Sequence, residues 1–286
     1  MKLVFSKKGF DTEVSPRHAS LILPDGRLLS LPIPEPKGSP DGVGIPYEQI
    51  HAFDDLSVGD VLDQLGYDSP QRARGAHLDP DLSAGAVVRP PGWRPLFGTD
   101  STSRSASHLA KQGVGEGDLF LFHGRFRETG FARDGRLRYL RGAPVRQLVF
   151  GYLQVGECWR PQTSAAASLL PTWAQSHPHV RHAARRDNVV FVGADRLLGT
   201  NLPGAAAFAS FDDGLVLTEP GRTPAHWQLP ACFAGLPITY CQPAQEDGLV
   251  RLRAPGRGQE FVVECTDAVR EWAVVMTTRA ASKGLR

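Results

Sequence analysis

The sequence predicts an α+β protein in which short strands outnumber helices. Apolar runs typical of strands recur along the chain and do not alternate regularly with helical patterns, which argues against a doubly wound α/β sheet. The 286 residues also include 30 glycines and 23 prolines, which indicates many turns between short elements. We therefore expect mixed, strand-rich sheets or a partly open barrel, with a few short helices and a C-terminal helix.

The first strands are predicted from local patterns near the N-terminus. Leu3–Phe5 is a short apolar run that predicts the first strand. Leu21–Leu23 and Leu28–Leu31 flank a Pro-Asp-Gly turn, in which proline presets one dihedral angle and glycine permits the next. These two runs predict a strand on each side of a tight turn.

The first helix is predicted over 57–65. Ser57 and Asp60 have the spacing of a capping box, with the shorter aspartate in place of the usual glutamate. Gly66 can end this helix in a left-handed conformation. A second short helix is predicted over Ser105–Gln112, because a glycine follows it.

The remaining elements are predicted from apolar runs and one helix cap. Leu119–Phe122 and Gln147–Val155 are expected to be paired, buried strands, with the Arg-rich segment between them as their connection. Alanine-rich sequence predicts a helix at 163–169, and Thr266 can cap a C-terminal amphipathic helix. Further strands are predicted at 188–193, 214–218, 238–240, 249–252 and 260–264.

The composition excludes several classes of protein. The chain is 41% hydrophobic and carries a net charge of only +2, which excludes a disordered chain. No stretch approaches the ~20 apolar residues needed to span a bilayer, so we expect no membrane partner. The first residues lack a signal-peptide core, and the four cysteines lack zinc-ligand spacing. We expect a cytoplasmic protein with reduced thiols.

Positive charge is concentrated in one part of the chain. The sequence contains 26 arginines and six lysines, and seven of the arginines lie between 120 and 150 beside only two acidic residues. Arginine suits bidentate contacts to phosphate, although a general codon bias would explain the excess without any function. The candidate residues for binding phosphate or nucleic acid are Arg125, Arg127, Arg136 and Arg138.

A second candidate phosphate site follows the first strand. The ammonium groups of Lys7 and Lys8, together with nearby backbone amides, can hold a phosphate. The alternative is a solvated turn, since adjacent lysines are common on protein surfaces. The segment lacks the GKS or GKT ending of a P-loop, so the sequence does not indicate nucleoside-triphosphate hydrolysis.

The sharpest local pattern is HLDPD at 77–81. On an extended backbone, alternate residues point to one side, so His77, Asp79 and Asp81 can converge on a metal ion or a substrate. The alternative is a simple turn, because aspartate before proline is a common turn initiator. A separate fourth ligand is not identifiable from the sequence, so the metal and any cofactor remain unknown.

A second histidine cluster lies at His177 and His179. An HxH pair on a strand can bind a metal ion, and neutral imidazoles are common ligands. Arginines follow at once, beginning with Arg181, and their positive charge opposes a cation. The sequence therefore favours a polar loop or a contact with an anion over a metal site here.

Several stretches of the chain together resemble one bacterial family. They are SKKGFD at 6–11, LPDGRLLSLPIPEP at 23–36, HLDPDL at 77–82, GDLFLFHGRFR at 117–127, VFGYLQVGE at 149–157, HPHV at 177–180, HWQLPACF at 226–233 and RGQEFVVE at 257–264. In this order they resemble the third family of nucleotide modification associated domain proteins. The resemblance implies an association with systems that modify or process nucleotides in DNA, and it implies no particular reaction.

Two expectations about architecture accompany this resemblance. The segment 113–157 is loosely similar to the PUA-like barrels that recognise modified bases, because a Gly-Asp turn precedes two apolar strands. The family-like motifs run from residue 6 to residue 264 without a clear linker. We therefore expect a single intertwined unit over 1–286, with any sub-boundary near 160–175.

Three functions are compatible with the sequence. In the first, the protein is an enzyme acting on a modified nucleotide or nucleic acid, with His77, Asp79, Asp81 and Glu260 as catalytic residues. In the second, it is a non-catalytic reader of modified bases, in which the Arg-rich segment borders an aromatic pocket. In the third, it is a structural partner in a modification or defence system. The enzyme hypothesis predicts that the four catalytic candidates meet in one cleft.

Overall fold

The chain forms a strand-rich α+β fold, as the sequence predicts. The computed structural model describes residues 1–10, 14–15, 17–37, 44–100, 105–181, 187–254 and 260–286. In these ranges the strands are β1 (Lys2–Lys7), β2 (Ser20–Ile22), β3 (Leu28–Leu29), β4 (His51–Phe53), β5 (Leu56–Ser57), β6 (Leu96–Thr99), β7 (Leu119–Phe131), β8 (Leu137–Tyr139), β9 (Arg146–Trp159), β10 (Val189–Gly193), β11 (Ala205–Ala207), β12 (His226–Pro230), β13 (Ala244–Glu246), β14 (Leu249–Arg253) and β15 (Phe261–Glu264). The helices are α1 (Val58–Gln64), α2 (Ser105–Lys111), α3 (Ser164–Ser168), α4 (Pro178–Arg181) and α5 (Asp267–Ala281), with 3-10 turns at Tyr47–Gln49, Pro70–Arg74, Thr172–Ala174, Asp213–Leu215 and Ala231–Phe233. None of these helices is long and apolar enough to cross a bilayer.

The main sheet curls into a half-barrel. Its central strands follow the order β15, β1, β7, β9, β10 and β6, and the shorter strands β2, β3, β8 and β11 pair beside them. Strand β1 is antiparallel to β15 and parallel to β7, whereas β7, β9, β10 and β6 are successive antiparallel neighbours. Strands far apart in the sequence therefore meet in one sheet.

Aromatic side chains pack against both faces of the β1–β7 pair. On one face, the ring of Phe97 lies 5.1 Å from the rings of both Phe120 and Phe122. On the other face, the ring of Phe5 lies 5.7 Å from that of Trp227. The two faces differ because successive side chains of a strand point to opposite sides. Each aromatic cluster buries apolar area against the same two strands.

Both helices that the sequence specified by their caps are confirmed. Helix α1 begins after Ser57, whose hydroxyl accepts from the N–H of Asp60 while the Asp60 carboxylate accepts from the N–H of Ser57. Helix α5 begins after Thr266, whose Oγ1 accepts from the N–H of Val269. The helices expected at 105–112 and 163–169 are present, as are strands at 3–5, 119–122, 147–155, 188–193, 249–252 and 260–264.

The Arg-rich segment differs from the expected connection, because much of it is strand. Strand β7 continues to Phe131 and pairs with β2, so that Ser20 lies opposite Phe126. The chain then turns back as β8, which places Tyr139 opposite Thr129. The length of β7 was underestimated, because the apolar run that predicts it ends at Phe122. The rest of the strand is held by pairing with β2 and β8.

The strand expected at 214–218 is present only as isolated β-bridges of Val216 and Thr218, and the one expected at 238–240 is wrong. The first range begins in a 3-10 turn, because the side chain of Asp212 accepts a hydrogen bond from the N–H of Gly214 and caps it. The second range lies outside any strand, and Tyr240 has a left-handed backbone with φ of 64°. In both places a local turn overrides the apolar pattern.

Helix α5 is attached to the sheet region through the buried Asp212. Its Oδ2 lies 2.8 Å from Nζ of Lys283 and 3.1 Å from Nε of Arg279. Burial by itself raises the pKa of Asp212, but Lys283, the Gly214 N–H and Arg279 together lower it more, so that the net shift is downward. A carboxyl group with a lowered pKa stabilises the fold above its unfolded pKa of ~3.9, and this contribution is lost as the pH falls through the folded pKa.

We expect Asp212→Asn to lower the free energy of unfolding at pH 7 by about 1–2 kcal/mol, a modest value because both cations are half exposed. The free energy of unfolding of the unmodified protein should fall more steeply below about pH 4 than that of the variant. Urea unfolding followed by circular dichroism measures both effects. Asp213→Asn, at the exposed neighbouring residue, is the control, and equal stability of the Asp212 variant and the unmodified protein would contradict the prediction.

Candidate functional site

The segment from His77 to Asp81 is fixed at both ends by backbone hydrogen bonds. The N–H of His77 donates to the carbonyl of Ile33 over 2.8 Å. The N–H of Asp81 donates to the carbonyl of Leu96 in β6, also over 2.8 Å. The Asp79–Pro80 peptide bond between these anchors is cis. Asp79 therefore lies in a short loop that is anchored on both sides.

A second segment brings His177 and His179 to the same place. His177 immediately precedes α4, and the N–H of Val180 donates to the His177 carbonyl over 3.0 Å. Val180 is buried in a small apolar core together with Leu96 of β6 and Val190 of β10. This packing holds α4 beside β6, the strand that also pairs with Asp81.

Asp79 is the centre of the resulting cluster. Its Oδ1 accepts a 2.7 Å hydrogen bond from the N–H of Gly98 and lies 3.3 Å from Nε2 of His177. Its Oδ2 lies 3.8 Å from Nε2 of His179. His77, Asp79 and His179 each offer one ligand atom, and these three atoms lie within 4.8 Å of one another. We call His77, Asp79, His177 and His179 the His–Asp cluster.

Two further side chains orient the histidines from outside. Oε2 of Glu35 lies 3.1 Å from Nδ1 of His77. Oδ1 of Asn188 lies 3.2 Å from Nδ1 of His179, while the Asn188 amide group donates to the His179 carbonyl over 2.6 Å. Because carboxylate and amide oxygens only accept hydrogen bonds, both imidazoles carry a proton on Nδ1. Their Nε2 lone pairs are then available to the cluster.

His177 has the opposite proton arrangement. The backbone N–H of His179 donates to Nδ1 of His177 over 3.3 Å, so this nitrogen is an acceptor. The proton of a neutral His177 therefore lies on Nε2, the atom next to Oδ1 of Asp79. His177 thus faces Asp79 with a proton, whereas His179 faces it with a lone pair.

Burial affects the charges in the cluster in opposite ways. Burial raises the pKa of Asp79, but the neighbouring His177, His179 and Lys8 side chains together lower it more, so that the net shift is downward. Burial lowers the pKa of His179, and His77 and His177 lower it further, against the opposing effect of Asp79. An ionised carboxylate beside a neutral imidazole is the resulting state.

Glu260 reaches this region through Lys8. The Lys8 ammonium lies 3.6 Å from Oε1 of Glu260 and 4.2 Å from the centre of the Phe97 ring. The hydroxyl of Ser6 also donates to the same oxygen of Glu260 over 3.2 Å. Since Phe97 precedes Gly98, and the charge of Lys8 acts on Asp79, Lys8 lies between Glu260 and the His–Asp cluster.

Asp81 faces a different partner from His77 and Asp79. Its carboxylate accepts two hydrogen bonds from the guanidinium of Arg89, one of them 2.6 Å long. The same guanidinium lies 4.1 Å from the centre of the Trp93 ring. The convergence expected for residues 77–81 therefore holds for His77 and Asp79, while Asp81 is paired with an arginine. The backbone here is not extended as expected, because the N–H of Asp79 donates to the His77 carbonyl over 2.9 Å in a tight turn.

A pocket opens beside Asp79 and Lys8. It encloses about 740 Å³ of space, counting the part open to solvent. Lys8, Asp79 and Arg286 line it together with mostly apolar side chains such as Phe150 and Leu82. A mostly apolar lining with a few charged groups is typical of pockets that bind small molecules or part of a larger one.

The basic residues nominated from the sequence are dispersed. Lys7 ends β1 and Lys8 directly follows it, so their side chains point to opposite sides, and Lys8 is the one that lines the pocket. The other four, Arg125, Arg127, Arg136 and Arg138, lie on or beside the β7–β8 hairpin. Arg136 and Arg138 donate to the last carbonyls of α1, and Arg127 donates to a carbonyl after β8 over 2.8 Å.

Several residues of the site were missed by sequence reasoning. The sequence singled out His177 and His179 as a motif, but the nearby arginines argued against a role with a cation. Glu35 and Asn188 carried no signal, because each is a single polar residue in an otherwise unremarkable segment. The HPHV motif at 177–180 was the available signal, since it is among the stretches that resemble the family.

The fold and the cluster define a strand-rich α+β protein with a buried histidine–carboxylate centre beside a pocket. The chain belongs to the nucleotide modification associated domain 3 family, whose model matches residues 2–264. This finding confirms the resemblance seen in the sequence. No curated protein and no solved structure matches the chain.

We expect Gly98→Ala to displace His179 and to destabilise the protein by about 1–3 kcal/mol. A Cβ at Gly98 would lie 2.3 Å from Cγ of His179, and β-sheet pairing prevents the backbone from moving away. Urea unfolding measures the loss. Gly115→Ala is the control, because a Cβ at Gly115 meets no atom within 4 Å. Equal stability of the Gly98→Ala variant and this control would contradict the close packing of Gly98 against His179.

We expect Arg138→Ala to lower the free energy of unfolding by about 1 kcal/mol, because its guanidinium donates to the carbonyl of Gln64, the last residue of α1. Thermal unfolding by circular dichroism measures the effect. Arg141→Ala, at an exposed position shortly after the same hairpin, is the matched control. If both variants are equally stable, Arg138 does not support the helix.

Proposed function

We propose that this protein is an enzyme that modifies or processes a nucleotide, either free or within a nucleic acid, at the pocket beside Asp79. The observation that carries this proposal is the convergence of the His–Asp cluster, from two separate segments of the chain, next to an open pocket. The family to which the chain belongs supports nucleotides as the substrate class.

An enzymatic role is supported by the cost of such a cluster. Burying an ionised carboxylate destabilises a fold unless partners compensate for the lost hydration. The Asp79 side chain is 4% exposed, and the Glu35 side chain behind His77 is 1% exposed. Groups of buried ionisable residues with shifted pKa values are more frequent at functional sites than elsewhere. A purely structural loop anchor would be served equally well by neutral residues.

The pocket lining carries two cationic residues, Lys8 and Arg286, beside the carboxylates of Asp79 and Asp81. The Lys8 ammonium lines the pocket, and its contact with Glu260 at 3.6 Å orients it without a tight ion pair. An ammonium group in this position binds a phosphate by charge-assisted hydrogen bonds. Arg286 is a second cationic residue of the lining, and its guanidinium donates to the carbonyls of Leu28 and Ala52. We infer that Lys8 holds the substrate phosphate while the reacting group approaches Asp79.

The residues of the cluster divide into reacting and positioning groups. Asp79 lines the pocket, and we infer that its Oδ2, the oxygen not used by the Gly98 N–H, is the reacting atom. His177 positions this carboxylate through the contact with Oδ1. Of the four catalytic residues nominated from the sequence, His77 and Asp79 keep that role, Glu260 supports Lys8, and Asp81 is a structural partner of Arg89.

The test is a search for chemical change in nucleotides. The full chain is incubated with nucleoside mono- and triphosphates and with single- and double-stranded DNA and RNA, both unmodified and carrying methylated or hydroxymethylated bases. The small-molecule fraction of a bacterial lysate supplies co-substrates. Mass spectrometry of the digested nucleosides then detects any product. We expect turnover by the unmodified protein and a loss of about 100-fold or more in Asp79→Asn.

Asp55→Asn, at an exposed aspartate outside the pocket lining, is the matched control and should retain full turnover. Binding of the same oligonucleotides is measured in parallel. Selective binding of a modified base without any product, unchanged in Asp79→Asn, would overturn the proposal in favour of a non-catalytic reader. The absence of both turnover and binding would overturn the proposal in favour of a structural partner.

A further inference from the structure

We propose that His77, Asp79 and His179 bind one divalent transition-metal ion. The inference rests on the proposed function, because it assigns a cofactor to the same site. The three ligand atoms lie within 4.8 Å of one another and come from the loop at 77–81 and from helix α4, both of which contact β6. Ligands of an ion with bonds of ~2.1 Å are about 3–3.5 Å apart. Binding therefore requires these atoms to close by roughly an ångström, which small side-chain rotations provide.

The proton arrangement favours a cation at the centre. Glu35 and Asn188 accept from the Nδ1 protons of His77 and His179, so that Nε2 of each imidazole is an unprotonated donor atom. Histidine ligands of metals are usually fixed in this way by an outer carboxylate or amide oxygen. Both outer side chains are buried, with exposures of 1% for Glu35 and 0% for Asn188. The site is therefore oriented by two layers of side chains.

The carboxylate is prepared for binding through one oxygen. Oδ1 of Asp79 accepts from the Gly98 N–H at 2.7 Å and faces the Nε2 proton of His177 at 3.3 Å. Oδ2 faces the Nε2 lone pair of His179 at 3.8 Å. Two acceptors that face each other in a buried site repel, and a cation between them removes this repulsion. The two oxygens thus have different roles, one held by the protein and one directed at the ion.

The ligand types identify the class of metal. Two imidazole nitrogens and one carboxylate oxygen suit iron(II), zinc, cobalt or manganese better than magnesium or calcium, which prefer oxygen ligands. Two histidines and one carboxylate occupy only part of a coordination sphere, so positions remain for water or a substrate oxygen. Asp79 also lines the pocket, so those open positions can face the substrate.

Metal binding is tested on the full chain produced without a polyhistidine tag. Bound metal is removed with a chelator, and cobalt(II) is titrated back while the visible d–d absorption is recorded. Mass spectrometry of the elements gives the stoichiometry. We expect one cobalt(II) per chain, and a loss of affinity of at least about 100-fold in His179→Ala and Asp79→Asn. His177→Gln, which removes a positioning contact, should weaken binding by about 10–100-fold.

His226→Ala is the matched control, because His226 is hydrogen-bonded to Thr223 in another part of the molecule. This variant should bind cobalt(II) with the affinity of the unmodified protein. Circular dichroism confirms that each variant is folded, and a variant that fails to fold is replaced by His77→Gln. Less than one tenth of an equivalent of cobalt on the unmodified protein, or full affinity in folded His179→Ala, would overturn the metal site. Turnover that persists in excess chelator would overturn the metal site and leave the proposed enzyme intact. Metal binding by a protein that shows no turnover would support the metal site and overturn the proposed enzyme.

Discussion

The candidate site depends on one close approach of backbone and side chain at Gly98. This residue lies in β6 opposite Val190 of β10, so its backbone is fixed by the sheet. Its N–H holds Asp79, and its missing side chain leaves room for the imidazole of His179. Gly98 therefore holds the loop that carries the Asp79 carboxylate next to helix α4, which carries His179. Any larger side chain at this position separates them.

The electrostatics of the cluster follow from this forced proximity. Because β6 holds Asp79 and His179 together in a largely buried site, Oδ2 of Asp79 lies only 3.8 Å from Nε2 of His179. A proton would make His179 an imidazolium. Burial and the neighbouring His77 and His177 oppose that charge more than Asp79 and Asp100 favour it, so that the net shift of the His179 pKa is downward. A divalent ion instead satisfies both imidazoles and the carboxylate at once. The metal interpretation therefore explains why three costly buried groups are placed together.

The fold could be predicted from the sequence where local physics decides the conformation. The capping box at Ser57 and the cap at Thr266 specify helices through hydrogen bonds within a few residues, and both helices are present. The range at 238–240 failed because Tyr240 adopts a left-handed backbone that an apolar pattern does not reveal. The Arg-rich segment was misjudged because its strand partners come from elsewhere in the chain. Local signals thus identified elements better than they identified pairings.

The site could be predicted only where its residues are neighbours in sequence. His77 and Asp79 are two residues apart, so their spacing alone suggested a shared ligand, whereas Glu35 lies 42 residues before its partner and carried no pattern. The arginines after His179 argued against a cation, because local sequence shows only local charge. In the structure, the negative charge that faces His179 comes from Asp79, which the pairing around β6 brings to it, and from Asp100, whose Oδ2 lies 3.7 Å from Nδ1 of His179. The sign of the potential at a histidine pair is set by the tertiary neighbours within a few ångströms, where Coulomb energies are largest, rather than by the next residues along the chain.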